Sequence, residues 1–396
     1  MDKKQVWMLI LLFGVISLLG DIIYEGGRSV SGQYLSLVGA SAFTVGVVVG
    51  IGEFLGYVCR LISGFISDKT SSYWFFLFLG YGLLASIPLL SISESWQLAA
   101  VFVILERVGK GLRSPVKDAV LSNATEKVGT GFGFGVLELI DQVGAIIGPL
   151  ILFLLFLSYK GNPTAQEYRS SFEIFWILFV LLMVILLFTY LRFKEVIKIE
   201  RGGERKKEKS LSEAFWIFCV FTFFTVFGFV NFALVGYHLK INHIIPDLYI
   251  PLLYLLAMVV DGASAMVIGK IYDRVDRKVY TLLLVPFLTA ITIALLFSGN
   301  TIYTVLGMFV WGVVLGLHEV VFKAYIVDHV EQGKRGSAFG VFNLVYGVSA
   351  FSGGALTGLL YDISVDVTVW SLIVVQVIAV LYLFFSFKVI VKFNKS

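Results

Sequence analysis

Two stretches of the chain carry one pattern 205 residues apart. Gly64-Phe65-Ile66-Ser67-Asp68-Lys69 closes a long apolar run, and Gly269-Lys270-Ile271-Tyr272-Asp273-Arg274 closes another. The same offset carries Phe134-Gly135-Val136 onto Phe339-Gly340-Val341, and Gly148 onto Gly353. Unrelated motifs sharing one offset indicate an internal duplication, and a duplicated apolar chain reads as two copies of one membrane domain.

Hydrophobic residues make up 58% of the 396 and charged residues 15%. A soluble chain of this length cannot hide so much apolar surface, so the solvent it matches is lipid. Runs long enough to cross a bilayer fall near 6–32, 42–67, 73–92, 97–118, 132–158, 172–192, 214–239, 248–271, 279–298, 301–327, 337–361 and 368–389. The expected fold is an all-α membrane protein with twelve transmembrane helices in two pseudo-symmetric bundles. The first bundle covers 1–192, a polar linker 193–213 and the second bundle 214–396. The first span follows Met1-Asp2-Lys3-Lys4, runs longer than a signal-peptide core and shows no small-residue cleavage site, so it is expected to be retained.

Basic residues set the orientation. Lys3, Lys4, Lys69, Lys334, Arg335 and the linker cations from Arg192 to Lys209 share one side, against Lys160, Arg169 and Lys240 on the other. Both termini and the linker are therefore expected in the cytoplasm, with the spans in a plasma (inner) membrane. The net charge of +4 follows from this bias and does not argue for a nucleic-acid partner. Glu195, Glu200, Glu204 and Glu208 interleave with the linker cations, which reads as a solvated tether first and a lipid-binding patch second. Cys59 and Cys219 lie in different halves, histidines occur singly, and no glycine loop precedes a Lys-Ser or Lys-Thr pair. Disulfide, metal and ATP chemistry are unsupported, and no cofactor is expected.

Twelve spans, a repeat of six and a Gly-x-x-x-Asp-Lys/Arg loop after spans 2 and 8 resemble the major facilitator superfamily. The first copy of the loop continues Thr70-Ser71-Ser72 where the family usually has Gly-Arg-Arg, whereas the second keeps Arg277-Lys278. In span 4, Arg107-Val108-Gly109-Lys110-Gly111 is similar to the family's Arg-x-x-Gln-Gly, with Lys110 in place of Gln. In span 5, Gly135, Gly144 and Gly148-Pro149 resemble the signature of the drug/proton antiporter branch, although Leu152 and Phe153 stand where two more glycines are expected. The resemblance covers essentially the whole chain. It implies a transporter, favours export, and assigns Gly64, Asp68, Lys69, Gly269, Asp273 and Arg274 to a cytoplasmic gate.

Physical chemistry gives these motifs a meaning of their own. A glycine near a helix end lets a neighbour approach, and the following acid can meet a helix N-terminus or an arginine of another span. Arg113, near the cytoplasmic end of span 4, is the expected partner of Asp68, directly or through Lys117. The alternative is a boundary loop whose cations reach up to headgroups. In span 5, Asp141, Gly144 and Gly148 recur at i, i+3 and i+7, so a carboxylate shares a face with a helix-packing stripe. Pro149 removes an amide donor and is expected to bend that span.

The first half also holds charges that hydrocarbon would penalise by about 2.5–3.5 kcal/mol each. Span 1 carries Asp21, Glu25 and Arg28; span 2 carries Glu53 and Arg60; span 4 carries Glu106, Arg107, Lys110, Arg113 and Lys117; span 5 carries Glu138, Asp141 and Gln142. Such residues must line a polar interior and pair with one another. One reading is a permanent ion-pair scaffold. The other is a proton-coupling site of Asp21, Glu25, Arg28, Glu53, Arg107, Glu138 and Asp141, since buried carboxylates beside cations change charge state readily. The second half is poorer in charge. Lys110, Gln142, Asn231, His318, Glu319, Asn343 and Tyr346 are candidate substrate contacts, and Phe223, Phe224, Phe227, Phe229, Phe232 and Tyr237 would suit an apolar ligand unless they are simply core.

The expectation is a secondary transporter working by alternating access, exporting a small amphipathic or hydrophobic compound against protons. A polar or anionic metabolite held by Arg107, Lys110 and Arg113 is the alternative, and a non-transporting scaffold or sensor is the reading from another class. No nucleophile and base are arranged as in an enzyme. The partners implied are a small-molecule substrate, protons and the lipid bilayer, with a monomer expected.

Overall fold

A computed structural model describes residues 3–125, 130–159, 161–194, 211–275, 279–331 and 334–393. Among them are twelve long helical elements and no strand. We number them α1 (Lys3–Leu37), α2 (Ala42–Thr70), α3 (Tyr73–Ile92), α4 (Trp96–Thr125), α5 (Thr130–Leu157), α6 (Ala165–Phe193), α7 (Glu213–Ile241), α8 (Ile250–Arg274), α9 (Val279–Leu296), α10 (Thr301–His329), α11 (Arg335–Ile363) and α12 (Val365–Phe393). Eleven are long and apolar enough to cross a membrane. The other is α4, whose 30 residues suffice in length but carry the charges of span 4.

Two elements are less regular than their hydropathy suggests. α3 is α-helical over Tyr73–Gly82 and then tightens into 3-10 turns around Pro88, whose ring supplies no amide donor. α7 is two helices, Glu213–Phe227 and Phe232–Ile241. The second begins on Asn231, whose Oδ1 accepts from Leu234 N at 3.0 Å, while Trp311 Nε1 donates to the freed Val230 carbonyl at 2.9 Å. A break inside a span is tolerated when protein groups satisfy the backbone it releases.

The chain forms two compact units that follow the halves of the sequence with one exchange. Unit 1 is Met1–Ala40, Ile51–Glu204 and Pro246–Leu255; unit 2 is Ser41–Gly50, Arg205–Ile245 and Leu256–Ser396. The exchanged segments, Ser41–Gly50 and Pro246–Leu255, are themselves 205 positions apart, so the exchange obeys the duplication.

Within unit 1, α1 and α5 pack backbone to backbone at the glycine stripe expected for span 5. A Cβ on Gly148 would lie 2.6 Å from Gly26 N, and one on Gly144 would lie 2.8 Å from Leu18 O. In unit 2 the repeat-related Gly353 is as tight, since its Cβ would lie 2.7 Å from Phe227 Cα. Backbone cannot yield as a side chain can. Gly148→Ala is therefore expected to destabilise the protein by about 1–3 kcal/mol through overpacking. Thermal unfolding in detergent should show the loss, with Gly336→Ala unchanged because a Cβ there meets nothing within 4 Å.

Candidate functional site

The charged residues of α1, α2 and α4 meet in one buried network, with Arg107 at its centre. Only 8% of the Arg107 side chain is exposed, and it reaches three groups. Its Nη1 lies 3.0 Å from Glu53 Oε1, its Nε 3.6 Å from Glu106 Oε2, and Nη1 also donates to the Tyr24 hydroxyl. Arg28 donates to the same hydroxyl at 2.9 Å and stands 3.7 Å from Glu53 Oε1. Lys110 is placed differently. Its ammonium lies 3.9 Å from the centroid of the Tyr24 ring, and it makes no ion pair among the described residues. Tyr24 thus receives two guanidinium bonds on its hydroxyl and an ammonium on its face.

Glu25, one residue further along α1, belongs to the same layer. Its Oε2 accepts from the Tyr254 hydroxyl at 2.5 Å, a donor brought by the segment Pro246–Leu255 that sits in unit 1.

A second, half-buried pair joins α4 to α5 and α1. Lys117 Nζ donates to Asp141 Oδ2 at 3.1 Å and to Ser17 Oγ at 2.9 Å. Asp141 Oδ1 is buried with no hydrogen-bond partner among the described residues. Asp21 lies close enough to feel Asp141, Glu25, Lys110 and Lys117, and makes no direct hydrogen bond among the described residues. It bridges the two clusters electrostatically.

The remaining expected site residues are more dispersed. Glu138 is exposed on α5, so the expectation of a buried coupling group there is corrected, while Gln142 is half-buried one turn on. In unit 2, His318 is buried between the Phe229 and Phe322 rings, 5.0 and 4.8 Å away, with Nδ1 3.3 Å from the Tyr346 hydroxyl. Its neighbour Glu319 faces outward, exposed, as α10 turns by 100° per residue. Asn343 is half-buried on α11, and Asn231 is occupied as a helix cap. The aromatics of α7 contact other rings: Phe229 stacks on Trp311, Phe232 and Tyr237 meet Trp311 and Tyr361 edge-on, and Phe223 and Phe224 lie tilted against Phe227 and Tyr382. Such packing is what a core does.

At the gate motifs, the Asp68 side chain and Gly135 lie outside the described residues, as does the linker over 195–210. Gly64 faces Pro115 of α4, where a Cβ would sit 3.7 Å from the proline Cβ, and Gly269 faces Val320 of α10 at 3.8 Å. Lys69, Asp273 and Arg274 are exposed. The expected pairing of Arg113 with Asp68 therefore lies outside the described residues; Arg113 itself is buried, donating to Gly80 O at 3.4 Å with its guanidinium 5.2 Å from the Tyr81 centroid. A main-chain carbonyl beside a glycine accepts it there. In the second copy the interhelical bond comes from Tyr272, whose hydroxyl donates to Asp328 at 3.1 Å.

Comparison with known proteins agrees with this architecture. The model of the Major Facilitator Superfamily matches residues 6–354 and 216–392. The chain belongs to the Major Facilitator Superfamily. An uncharacterized protein of Mycobacterium tuberculosis is 34% identical over 387 residues, which is 96% of this chain and 93% of that one. An uncharacterized MFS-type transporter of Methanocaldococcus jannaschii is 28% identical over 381 residues, 93% of this chain and 92% of the relative. Among solved structures, a bacterial homolog of the human lysosomal transporter Spinster, inward-facing and unoccupied, aligns with TM-score 0.76 at 13% identity, covering 99% of both chains. The nucleoside transporter NupG aligns with TM-score 0.71 at 13% identity, covering 98% of this chain and 99% of its own. At such identities the structures establish the fold.

Three members of this major facilitator protein's polar network carry no signal by charge or motif: Tyr24, Tyr254 and Ser17. Each reads as ordinary span filler. Only Tyr24 could have been found, because it lies one turn before Arg28 and shares its face.

Proposed function

We propose that this transporter moves a small anionic solute and exchanges it for protons in the direction of export. The observation that carries the reading is Lys110, a half-buried ammonium lying on an aromatic face with no carboxylate paired to it among the described residues. Asp21 and Glu25 act on this ammonium from a distance, but its one close contact among the described residues is the ring, so a carboxylate or phosphate would complete it. Arg28 supports the same subsite, since at 3.7 Å its hold on Glu53 is long and its other bond goes to a neutral hydroxyl. The apolar-compound reading is weakened because the α7 aromatics already pack against other rings of the protein. Proton coupling is assigned to Asp21, Glu25 and Asp141, and the direction follows the likeness of α5 to the antiporter signature.

Proteoliposomes under an imposed pH gradient, offered carboxylates, phosphate esters, neutral solutes and cationic amphiphiles, provide the test. Anions are expected to move against the proton gradient. Lys110→Gln should raise KM for them by about tenfold, the size of one charge-assisted hydrogen bond, whereas Lys110→Arg should retain most affinity. Transport confined to neutral or cationic compounds, unchanged in Lys110→Gln, would overturn the assignment.

A further inference from the structure

The two exchanged segments are held in their host units by different chemistry. The start of α2 is capped in unit 2 by Asp362, which accepts from Ala42 N at 3.1 Å and Phe43 N at 3.0 Å, and Gly46 packs directly on the backbone of Gly354. A carboxylate on free N–H groups at a helix start is a static tie that involves no other charge. The start of α8 is held in unit 1 by Asn162 Oδ1, which accepts from Asp247 N at 3.1 Å, and by Tyr249 against Phe153 with centroids 6.1 Å apart. It has a further tie, the bond from Tyr254 to Glu25. Among these contacts that bond alone runs into the buried charge network.

The duplication shows that this tie is not required for docking an exchanged segment. Moving Tyr254 and Glu25 by 205 positions, in the directions the repeat dictates, gives Val49 and Val230. Both are buried and apolar, at 5% and 2% exposure. The hydroxyl and its acceptor are therefore an addition to one copy of a shared architecture.

We propose that Tyr254 is a positioning residue that makes the docking of the start of α8 depend on the charge of Glu25, an inference that rests on the proton-exchange reading above. Tyr254 is fully buried, where a hydroxyl is normally held by a hydrogen bond. At 2.5 Å its bond to Glu25 has the length of a phenol donating to a carboxylate, the stronger class of hydrogen bond. When Glu25 takes a proton from water, the negative acceptor is gone, Tyr254 keeps its own proton, and the bond falls to the neutral class. Other charges near Glu25 are Asp21 and Arg28 on its own helix, Glu106 and Lys110 on α4, and Glu53 on α2 through Arg28. None of these cations is bonded directly to Glu25 among the described residues, so its charge state is free to act on the tyrosine. Protonation then loosens Pro246–Leu255, and the same helix continues into unit 2 from Leu256. Proton binding at one carboxylate is thereby transmitted along α8.

The test reads docking without any substrate. Ile250 is fully buried in the exchanged segment, so in a Cys59→Ser, Cys219→Ser background Ile250→Cys reports undocking by its rate of reaction with N-ethylmaleimide. Rates are taken as pH is lowered from 9 through the range in which a carboxylate takes up a proton, and divided by those of a fully exposed control cysteine, which removes the intrinsic thiol dependence. The normalised rate is expected to rise as pH falls. Tyr254→Phe should raise it about tenfold at pH 9 and flatten the profile, and Glu25→Gln should hold it near the low-pH level throughout. A Tyr254→Phe profile that keeps its pH dependence, merely displaced, would make the tyrosine a packing residue and overturn the proposal. So would a flat profile in the parent protein. Anion-for-proton exchange in liposomes is measured separately, so its absence with the labelling pattern intact removes only the functional reading.

Discussion

Arg107→Met is expected to be the most damaging single change in the first bundle. The arginine bonds Glu53, Glu106 and Tyr24 from a position that is almost wholly buried, and its removal strands Glu106 and leaves Glu53 only its long contact with Arg28. Glu106 is already strained in this sense, because its Oε1 is buried with no partner among the described residues. Breaking a buried pair from one side typically costs about 3–5 kcal/mol. Arg107→Lys should recover little, since an ammonium cannot present the fork that reaches Glu53 and Glu106 from two different nitrogens. The double variant Arg107→Met, Glu53→Gln should recover a substantial part, because it removes one of the stranded charges. Thermal unfolding in detergent at neutral pH measures all three. A loss below about 0.5 kcal/mol in Arg107→Met, the range of ordinary surface changes, would mean that the network contributes nothing to holding α1, α2 and α4 together.

The duplication was legible from two glycine-acid loops, and it extended further than those loops indicate, since the segments exchanged between units obey the same offset. Helix positions were legible because bilayer thickness imposes one length on every apolar run. That the charges of spans 1, 2 and 4 must be internal was also legible, as the penalty in lipid leaves no alternative. Their pairing was not. Periodicity gives the face on which Asp141 lies but not which helix stands opposite, and the answer, Lys117, is a residue that could equally have reached water at its helix end. The expected cluster joined Asp141 to Arg107; the structure divides it, giving Arg107 to Glu53 and Glu106 and leaving Asp21 between the two groups. The bond from Arg113 to the carbonyl of Gly80 was likewise out of reach, because a main-chain oxygen leaves no mark in a sequence. Tyr254 was invisible because a tyrosine in an apolar span is indistinguishable from filler until its hydroxyl is seen to reach Glu25.

Asp141→Asn is expected to abolish proton-driven transport while leaving the protein folded. Lys117 keeps Ser17 as a hydrogen-bond acceptor but loses its carboxylate, and with Asp21 close by the ammonium has another acid to turn to. This explains why the variant should survive where Arg107→Met does not. The effect on coupling is larger, because Asp21 and Asp141 both lie within the influence of Lys117 and each is a carboxylate the ammonium can pair with. Removing either acid leaves Lys117 with one carboxylate and no second acid to exchange it for. Accumulation under a pH gradient should therefore fall by at least about tenfold in both Asp141→Asn and Asp21→Asn, corresponding to about 1.4 kcal/mol of lost coupling. Exchange of labelled for unlabelled solute at equal pH on both sides needs no net proton movement, and should persist. Measuring the two modes in the same liposomes separates coupling from transport. If accumulation and exchange fall together, the Lys117–Asp141 pair is part of the path or of the scaffold. If neither falls, the protons cross elsewhere, and Glu25, the network carboxylate with a tie to α8, becomes the next to be tested.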